Sequence, residues 1–411
     1  MTISANPVNA WDRLLLVTNE TTFNTAVLPT DASNYASWAR EAITVDLGPP
    51  EVGAVRPMKD RGAGRDMQVG FVEGRVEPIP WSVETSVKSR SAIDAATLEG
   101  ELYAMAGLYR IAHASTNYLI QPITTPIESG VFASGQMLRF LGSGLAAYEA
   151  EQLNGCVCRK LTWEGGDKEL TLKAEGVAAS KVTFGALNSI TVPDATDPTV
   201  LTHTAEESYR LGVGYYLCEL EIMHIDAATD ITRGGTSSTI QRAKLGSYHY
   251  AHNSAPLNPY VPAPSYSGSP IPETTCTVTI GGVTSRVMSF VIDFTTGGDL
   301  LPGETGSKYR QGAKFTRFDL GVKFKLVLAA AQVSLLGKVT SRATAGAVAV
   351  TIVQGSAVGG VVTFSLPYCE VESFKVGDTV NDVAIVDVSM RVYSGAPPSA
   401  SLEPAFTITY T

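Results

Sequence analysis

Residues 318–328 read Phe-Asp-Leu-Gly-Val-Lys-Phe-Lys-Leu-Val-Leu. Phe318, Leu320, Val322, Phe324, Leu326 and Leu328 share one parity, and Arg317, Asp319, Lys323 and Lys325 share the other. Side chains alternate between the two faces of a strand, so this period of two buries one face and wets the other, whereas the 3.6-residue period of a helix would scatter both sets. The stretch therefore predicts a β-strand with one dry face.

Working outward, the same period recurs. Trp81, Val83, Thr85 and Val87 alternate with Ser82, Glu84, Ser86 and Lys88, and Leu170, Leu172 and Ala174 with Glu169, Thr171, Lys173 and Glu175. Cys276, Val278 and Ile280, then Met288, Phe290, Ile292 and Phe294, then Ala384, Val386, Val388, Met390 and Val392 give three further apolar faces. Ala405 to Thr411 closes the chain with another strand pattern. Asn154-Gly155, Gly165-Gly166-Asp167 and Gly281-Gly282 supply hairpin turns. The exception is a helix predicted from Leu98, Leu102, Met105 and Tyr109, with Ser91 or Asp94 to cap its start and Gly107 near its end. The fold class expected is mainly β.

At 411 residues the chain is long enough for one large or two ordinary domains with real cores. Charged residues are 17% against the roughly 25% usual in soluble domains, which implies that much surface is hidden against other subunits. The 31 Lys and Arg against 40 Asp and Glu give a net charge of −9, which argues against a groove that grips nucleic acid by counterion release. Five cysteines without framework spacing point to synthesis in a reducing compartment. Met1 to Ala10 lacks a signal-peptide pattern and no stretch reaches the roughly 20 apolar residues of a membrane span, so synthesis in the cytoplasm without membrane insertion is expected.

Residues 1–50 read as an N-terminal arm with an apolar patch at Leu14 to Val17, and 51–190 as a first β module. That module opens on a basic loop, Glu51 to Asp66, carrying Arg56, Lys59, Arg61 and Arg65. Pro193, Pro198 and scattered acids mark 191–206 as a linker, and 207–411 as a second β module. The latter holds a long irregular segment, 226–273, with Tyr248, His249, Tyr250 and Tyr260; loops this long are often functional. Glu149 to Glu175 and Thr274 to Phe294 share a hairpin rhythm that suggests an internal duplication.

Sites of chemistry are weak. Cys156-x-Cys158 begins a metal site, but no second pair stands at ligand spacing, so sheet cysteines are the reading taken. His249-x-x-His252, and His224 ahead of Asp226 and Asp230, lack the strand or helix support that zinc ligation needs. There is no G-x-S-x-G elbow, and the glycines from Gly53 to Gly64 do not have phosphate-loop spacing. Nothing marks a carboxylate pair for glycoside hydrolysis, and Asn19-Glu20-Thr21 is a glycosylation acceptor without a secretion signal. No catalytic residue, metal or cofactor is assigned, and an enzyme is not expected.

The segment Asp66 to Leu108, DMQVGFVEGRVEPIPWSVETSVKSRSAIDAATLEGELYAMAGL, resembles the major tail tube proteins of long-tailed (siphovirus-type) bacteriophages. Asn154-Gly155-Cys156-Val157 with the strand closing at Glu175-Gly176 is similar to that family's next hairpin. CTVTIGGVTSRVMSFVIDFTTGG and the run from Val371 to Thr411 resemble its later strands.

The resemblance implies a tail-tube-type β-sandwich with a flanking short helix, in two tandem modules or one long one, whose inner sheets join between subunits into a closed barrel. It implies a virion structural protein made in the host cytoplasm. Three double-module or six single-module copies would form a ring, three being preferred, and the rings would stack into a conduit for genome ejection. The implied partners are the chain itself, the tape measure, tail terminator and tail tip proteins, and double-stranded DNA in transit, with no membrane. Ser82, Glu84, Ser86, Arg317, Asp319, Lys323 and Lys325 are candidate lumen or ring-contact residues. Arg56, Lys59, Arg61, Arg65, Tyr248, His249, Tyr250 and Tyr260 are candidates for contacts between rings. The alternatives are a baseplate or receptor-binding tip protein and a phage glycan hydrolase.

Overall fold

The structure, a computed structural model, describes residues 13–20, 22–24, 36–38, 42–49, 53–59, 68–89, 98–113, 117–122, 134–143, 146–193, 197–248, 251–261, 269–271, 276–301, 310, 312–327, 347–356, 360–380, 383–393 and 406–410. The first strands are β1 (Arg13–Asn19), β2 (Ala36–Trp38), β3 (Ala42–Asp46), β4 (Gly53–Lys59), β5 (Gln68–Val76), β6 (Ile79–Ser86) and β7 (Lys88–Ser89). Helix α1 (Leu98–Met105) precedes β8 (Leu108–His113), β9 (Asn117–Pro122), β10 (Gly135–Ser143), β11 (Ala146–Gly166), β12 (Thr171–Ala178) and β13 (Ser180–Gly185). Then come β14 (Leu187–Val192), β15 (Thr199–Thr202), β16 (Gly214–Cys218), β17 (Glu221–Ile225), β18 (Ser237–Ile240), β19 (His252–Pro259) and β20 (Ser269–Pro270). The last group is β21 (Cys276–Ile280), β22 (Val283–Thr295), β23 (Gly298–Leu301), β24 (Gly312–Phe315) and β25 (Asp319–Val327). It ends with β26 (Val348–Ser356), β27 (Gly360–Val380), β28 (Val383–Val392) and β29 (Thr407–Tyr410).

The mainly β class expected from the alternating stretches is what forms. Leu320, Val322, Phe324 and Leu326 are buried and Asp319, Lys323 and Lys325 exposed, while Phe318 is half-buried against the same core. Trp81, Val83, Thr85 and Val87 are buried as their parity requires. These strands belong to a main sheet of order β3–β6–β12–β11–β22–β25–β28–β27, antiparallel at every step.

A second layer is built from β2–β1–β10–β11–β13 and from β22–β21–β26–β27–β29–β9–β8. Three long strands therefore serve both layers. The first half of β11 pairs with β10 and β13, and its second half with β12 and β22. Each changeover needs a bend, and β-bulges supply it: the register shifts between Cys158 and Lys160 in β11 and between Val371 and Ser373 in β27. A second matching pair of shifts lies between Ala42 and Thr44 in β3 and between Val287 and Ser289 in β22.

The two four-strand halves of the main sheet run in the same chain order. Numbered by appearance within each half, both read first, second, fourth, third. The correspondence sets β11 beside β27, not the 149–175 and 274–294 segments whose rhythm had suggested a duplication.

Trp163 on β11 is fully buried at the centre of the shared core. Its indole N–H donates to the Tyr103 hydroxyl of α1 at 3.1 Å, which is 2.7 Å from the Tyr410 hydroxyl of β29, and its ring lies edge-on to Phe364 and Phe406. Burying an aromatic of this size contributes on the order of 3 kcal/mol, and the hydroxyl chain removes the cost of its polar tip. Leu98, Leu102 and Met105 of α1 face this core as their spacing predicts, but the helix stops at Met105 and Tyr109 lies in β8. Gly107, at φ +72°, takes the left-handed conformation that ends helices. Ser91 and Asp94, the expected caps, lie outside the described residues.

Residues 187–261 form a separate six-stranded sheet of order β17–β16–β19–β14–β15–β18. Reciprocal backbone bonds between His224 and Gln241, 2.9 and 2.8 Å, draw its two ends together into a nearly closed barrel. Its core packs on Leu138, Phe140, Ala147, Ala150 and Phe184, so it sits against β10, β11 and β13.

Four segment readings change. The expected linker 191–206 begins in β14 and contains β15, with Leu201 fully buried. The expected irregular segment 226–273 contains β18, β19 and β20. Within the expected arm, β1, β2 and β3 are sheet strands, and within the expected basic loop β4 pairs with β5. Strands of two to eight residues with small or polar inner residues, such as His252 and Ala255 in β19, carry too little apolar alternation to be read.

Two outcomes test this packing. A Cβ at Gly176 would overlap the Val157 carbonyl oxygen and the Trp81 indole, so Gly176→Ala should cost about 1–3 kcal/mol by urea denaturation. Glu101 in α1 is buried, and burial, opposed by the Asn19 backbone N–H, raises its pKa to about 8. A carboxyl with a raised folded pKa binds a proton that the unfolded chain has released, so its contribution is intact below about pH 4.5 and lost as pH rises through about 8. Glu101→Gln should flatten the stability profile between pH 5 and 8, by on the order of 4 kcal/mol.

Candidate functional site

The outer face of the main sheet is largely polar. One row of cross-strand neighbours runs Thr44, Glu84, Lys173, Thr162, Asp293, Gly321, Arg391, Glu370, crossing all eight strands. Directly opposed residues on one face of a sheet interact, so opposite charges along such a row pair.

They do. Lys160 Nζ lies 2.7 Å from Asp293, which also accepts from the Thr162 hydroxyl at 3.0 Å and faces Lys323 at 3.8 Å. Lys173 bonds Glu175 at 2.5 Å, and Arg391 bonds Asp319 at 3.2 Å and approaches Glu372 at 4.0 Å. Lys325 stands opposite Asp387, which stands opposite Lys375. Burial would raise the Asp293 carboxyl, but the hydrogen bonds from Lys160 and Thr162 and the two lysine charges outweigh it and hold it below the ordinary range. The Glu175 hydrogen bond raises Lys173 despite slight burial. Exposed pairs of this kind add little stability. Their effect is to leave the face without an unsatisfied cluster of one sign.

This face gathers Ser82, Glu84, Asp319, Lys323 and Lys325 from two distant stretches of sequence. Ser86 is a correction: it is buried, because Val87 beside it is bracketed by backbone bonds from its N–H to Leu170 and to its carbonyl from Ile271. Arg317 is exposed but precedes the strand. Lys160, Glu164, Asp293, Asp387 and Arg391 were missed as members, although the parity of residues 288–294 and 384–392 already marks the outward positions of Asp293, Asp387 and Arg391.

Of the eight loop candidates, four fall within the described residues. Arg56 and Lys59 lie on β4, while Arg61, Arg65, His249 and Tyr250 lie outside the described residues. Tyr248 is 77% exposed. Tyr260 is not a free loop residue: it bridges Ala146, and its N–H donates to the Tyr215 carbonyl at 2.9 Å.

A second polar cluster lies inside the small barrel. Glu221, fully buried, accepts from Arg242 Nε at 3.0 Å, Arg242 Nη2 at 2.7 Å and the Ala243 N–H at 3.1 Å. His252 directs Nε2 to Glu221 at 2.8 Å and Nδ1 to Glu219 at 3.1 Å. Arg242 also donates to the Pro193 carbonyl, and its backbone N–H to Asp197. The cluster ties β14, β17, β19 and the turn after β18 at one point, and both nitrogens of His252 are taken up by carboxylates. Sequence reading missed it because its members are separated by 21 and 31 residues and, being charged, read as surface.

His224 stacks on Tyr215 at 4.4 Å between ring centroids and lies 3.9 Å from Asp226. Cys156 and Cys158 are buried, which pushes Cys158 up to about 12 and Cys156 well above its ordinary value, so neither is poised as a thiolate. Among the described residues no three His, Cys, Asp or Glu side chains group to hold a metal ion.

No protein-family model matches the chain, and no curated protein matches it.

Glu221→Gln leaves the Arg242 guanidinium buried beside a neutral amide. It should cost about 3–5 kcal/mol in denaturant unfolding and loosen amide protection across β17 and β19, while β25 and β28 stay protected.

Proposed function

We propose that this chain is a structural subunit that polymerises through stacked rings into the tail tube of a long-tailed phage, the conduit through which the genome leaves the particle. The observation that carries the reading is the main sheet. Two four-stranded halves with the same chain order and matching bulges are joined edge to edge within one polypeptide. In this reading each half is one tail-tube module. The first comprises β1–β3, β6, α1 and β10–β13, the second β21, β22 and β25–β29, with the small barrel inserted between them.

The outer face of the sheet fits a channel wall. A wall that passes DNA must not hold it, and a protein grips phosphates by offering cations that displace counterions. Lys160, Lys173, Lys323 and Arg391 are already engaged by carboxylates, and the net charge of −9 adds a weak general repulsion. The low charged fraction fits a chain most of whose remaining surface meets other copies.

Negative-stain electron microscopy of the purified chain across salt and protein concentration tests the reading. Hollow rings or filaments of uniform diameter are expected. Monomers under every condition would sink it.

A further inference from the structure

We propose that the small barrel binds a neutral polysaccharide on the face formed by β19, β14, β15 and β18, with Tyr209 at its edge. This goes beyond the tube reading and does not depend on it.

One row of cross-strand neighbours on that face runs Asn253, Thr191, Thr202, Ser237, and all four residues are exposed. At the usual strand spacing the row spans about 14 Å. It belongs to a wider patch of uniform chemistry. Three residues of β14, two each of β15 and β18, and three of β19 are exposed, ten in all, and none of them is charged. A face of that size that only has to stay in solution would carry about three charges. The outer face of the main sheet shows that ordinary pattern, with Lys173, Asp293, Lys323 and Arg391 on its strands.

A β-bulge shapes the patch. Ile190 stands opposite Ala255 and Thr191 opposite Asn253, so Ser254 is an extra residue, and its φ is +54°. As a result Asn253 and Ser254, consecutive in β19, are both exposed instead of alternating. A residue other than glycine in this conformation is strained, and such residues gather at binding sites.

Tyr209 is 64% exposed on a single helical turn, Glu207–Arg210. The turn is held from two sides. Glu207 accepts from the backbone N–H groups of Asn188 and Thr204, both at 3.0 Å, and Ser208, fully buried, accepts from the Gly234 N–H at 2.7 Å. Gly234 lies against the Tyr209 hydroxyl, and Thr236, two residues on, accepts through its carbonyl from the His203 N–H, beside the Thr202–Ser237 pair. The ring is therefore a fixed platform at one side of the patch.

Chemistry selects the occupant. Short hydroxyl and amide side chains bond a ligand at little cost in rotamer entropy, and a fixed tyrosine adds an apolar ring face. Together they suit a partner with hydroxyls along its edges and C–H groups on its faces, which is a sugar ring. An ionic partner gains nothing on a patch without charge. Residues 187–261, with eight Asp and Glu against four Lys and Arg, also repel an anionic polymer.

Affinity electrophoresis of the whole chain in native gels cast with dextran, soluble starch, galactomannan or dextran sulfate tests the proposal. Retardation is expected in at least one of the three neutral gels and not in dextran sulfate. Tyr209→Ala should weaken the interaction about tenfold, Thr202→Glu, which sets a charge in the row, about as much, and Tyr209→Phe should retain it. Tyr393→Ala, at an exposed tyrosine of the main sheet, should change nothing. Tyr209 and Thr202 are exposed, so urea midpoints should match the wild type, and if one variant fails to fold the other decides. No retardation in any neutral gel, retardation in dextran sulfate alone, or retardation that survives both Tyr209→Ala and Thr202→Glu would overturn the proposal, whether or not the chain forms filaments.

Discussion

A strand that serves two sheets has to bend, and the rest of this structure follows from how β11 and β27 do it. A straight strand would carry its neighbours out of one layer without entering the other, leaving half its backbone groups unpaired. One extra residue, Arg159 or Glu372, kinks and twists the strand so that its first half belongs to the second layer and its second half to the main sheet. The core is then enclosed on both sides by the same covalent strands, and Trp163, just past its bulge, lies where both layers and α1 converge.

The same bulges explain what could be read in advance. Residues 318–328 and 81–88 keep one parity throughout, so their strands, their dry faces and most of their outward residues were visible. In β11 the buried parity is even at Cys156 and Cys158 and odd at Leu161 and Trp163. In β27 it is even at Val362 and Phe364, odd at Cys369 and Val371, and even again at Phe374, which packs against the same core. A pattern with fixed parity reads such a strand as two short pieces with a turn between them. That is why Asn154-Gly155 looked like a hairpin turn, although Gly155, at φ +64°, lies within one continuous strand. The small barrel was invisible for a different reason. Its fixed point is the ion cluster of Glu221, Arg242 and His252, and charged residues carry no sign in the sequence that they will be buried together.

That cluster is costly to bury and adds little net stability over an apolar core of equal volume, but it fixes register. β14 to β19 are short, their apolar alternation is weak, and a one-residue slip would turn every side chain over. A carboxylate holding one guanidinium by two bonds and one imidazole by a third admits a single alignment of β17 and β19.

Edges decide the rest. The small barrel draws its ends together at His224 and Gln241, and the part of the second layer built on β27 is extended through β29 by β9 and β8. The main sheet is treated otherwise. Its outer face carries paired charges, and at one end Val376, a β-branched apolar residue, stands exposed between Lys375 and the register shift from Val376 to Thr379, two of the devices by which proteins blunt a sheet edge.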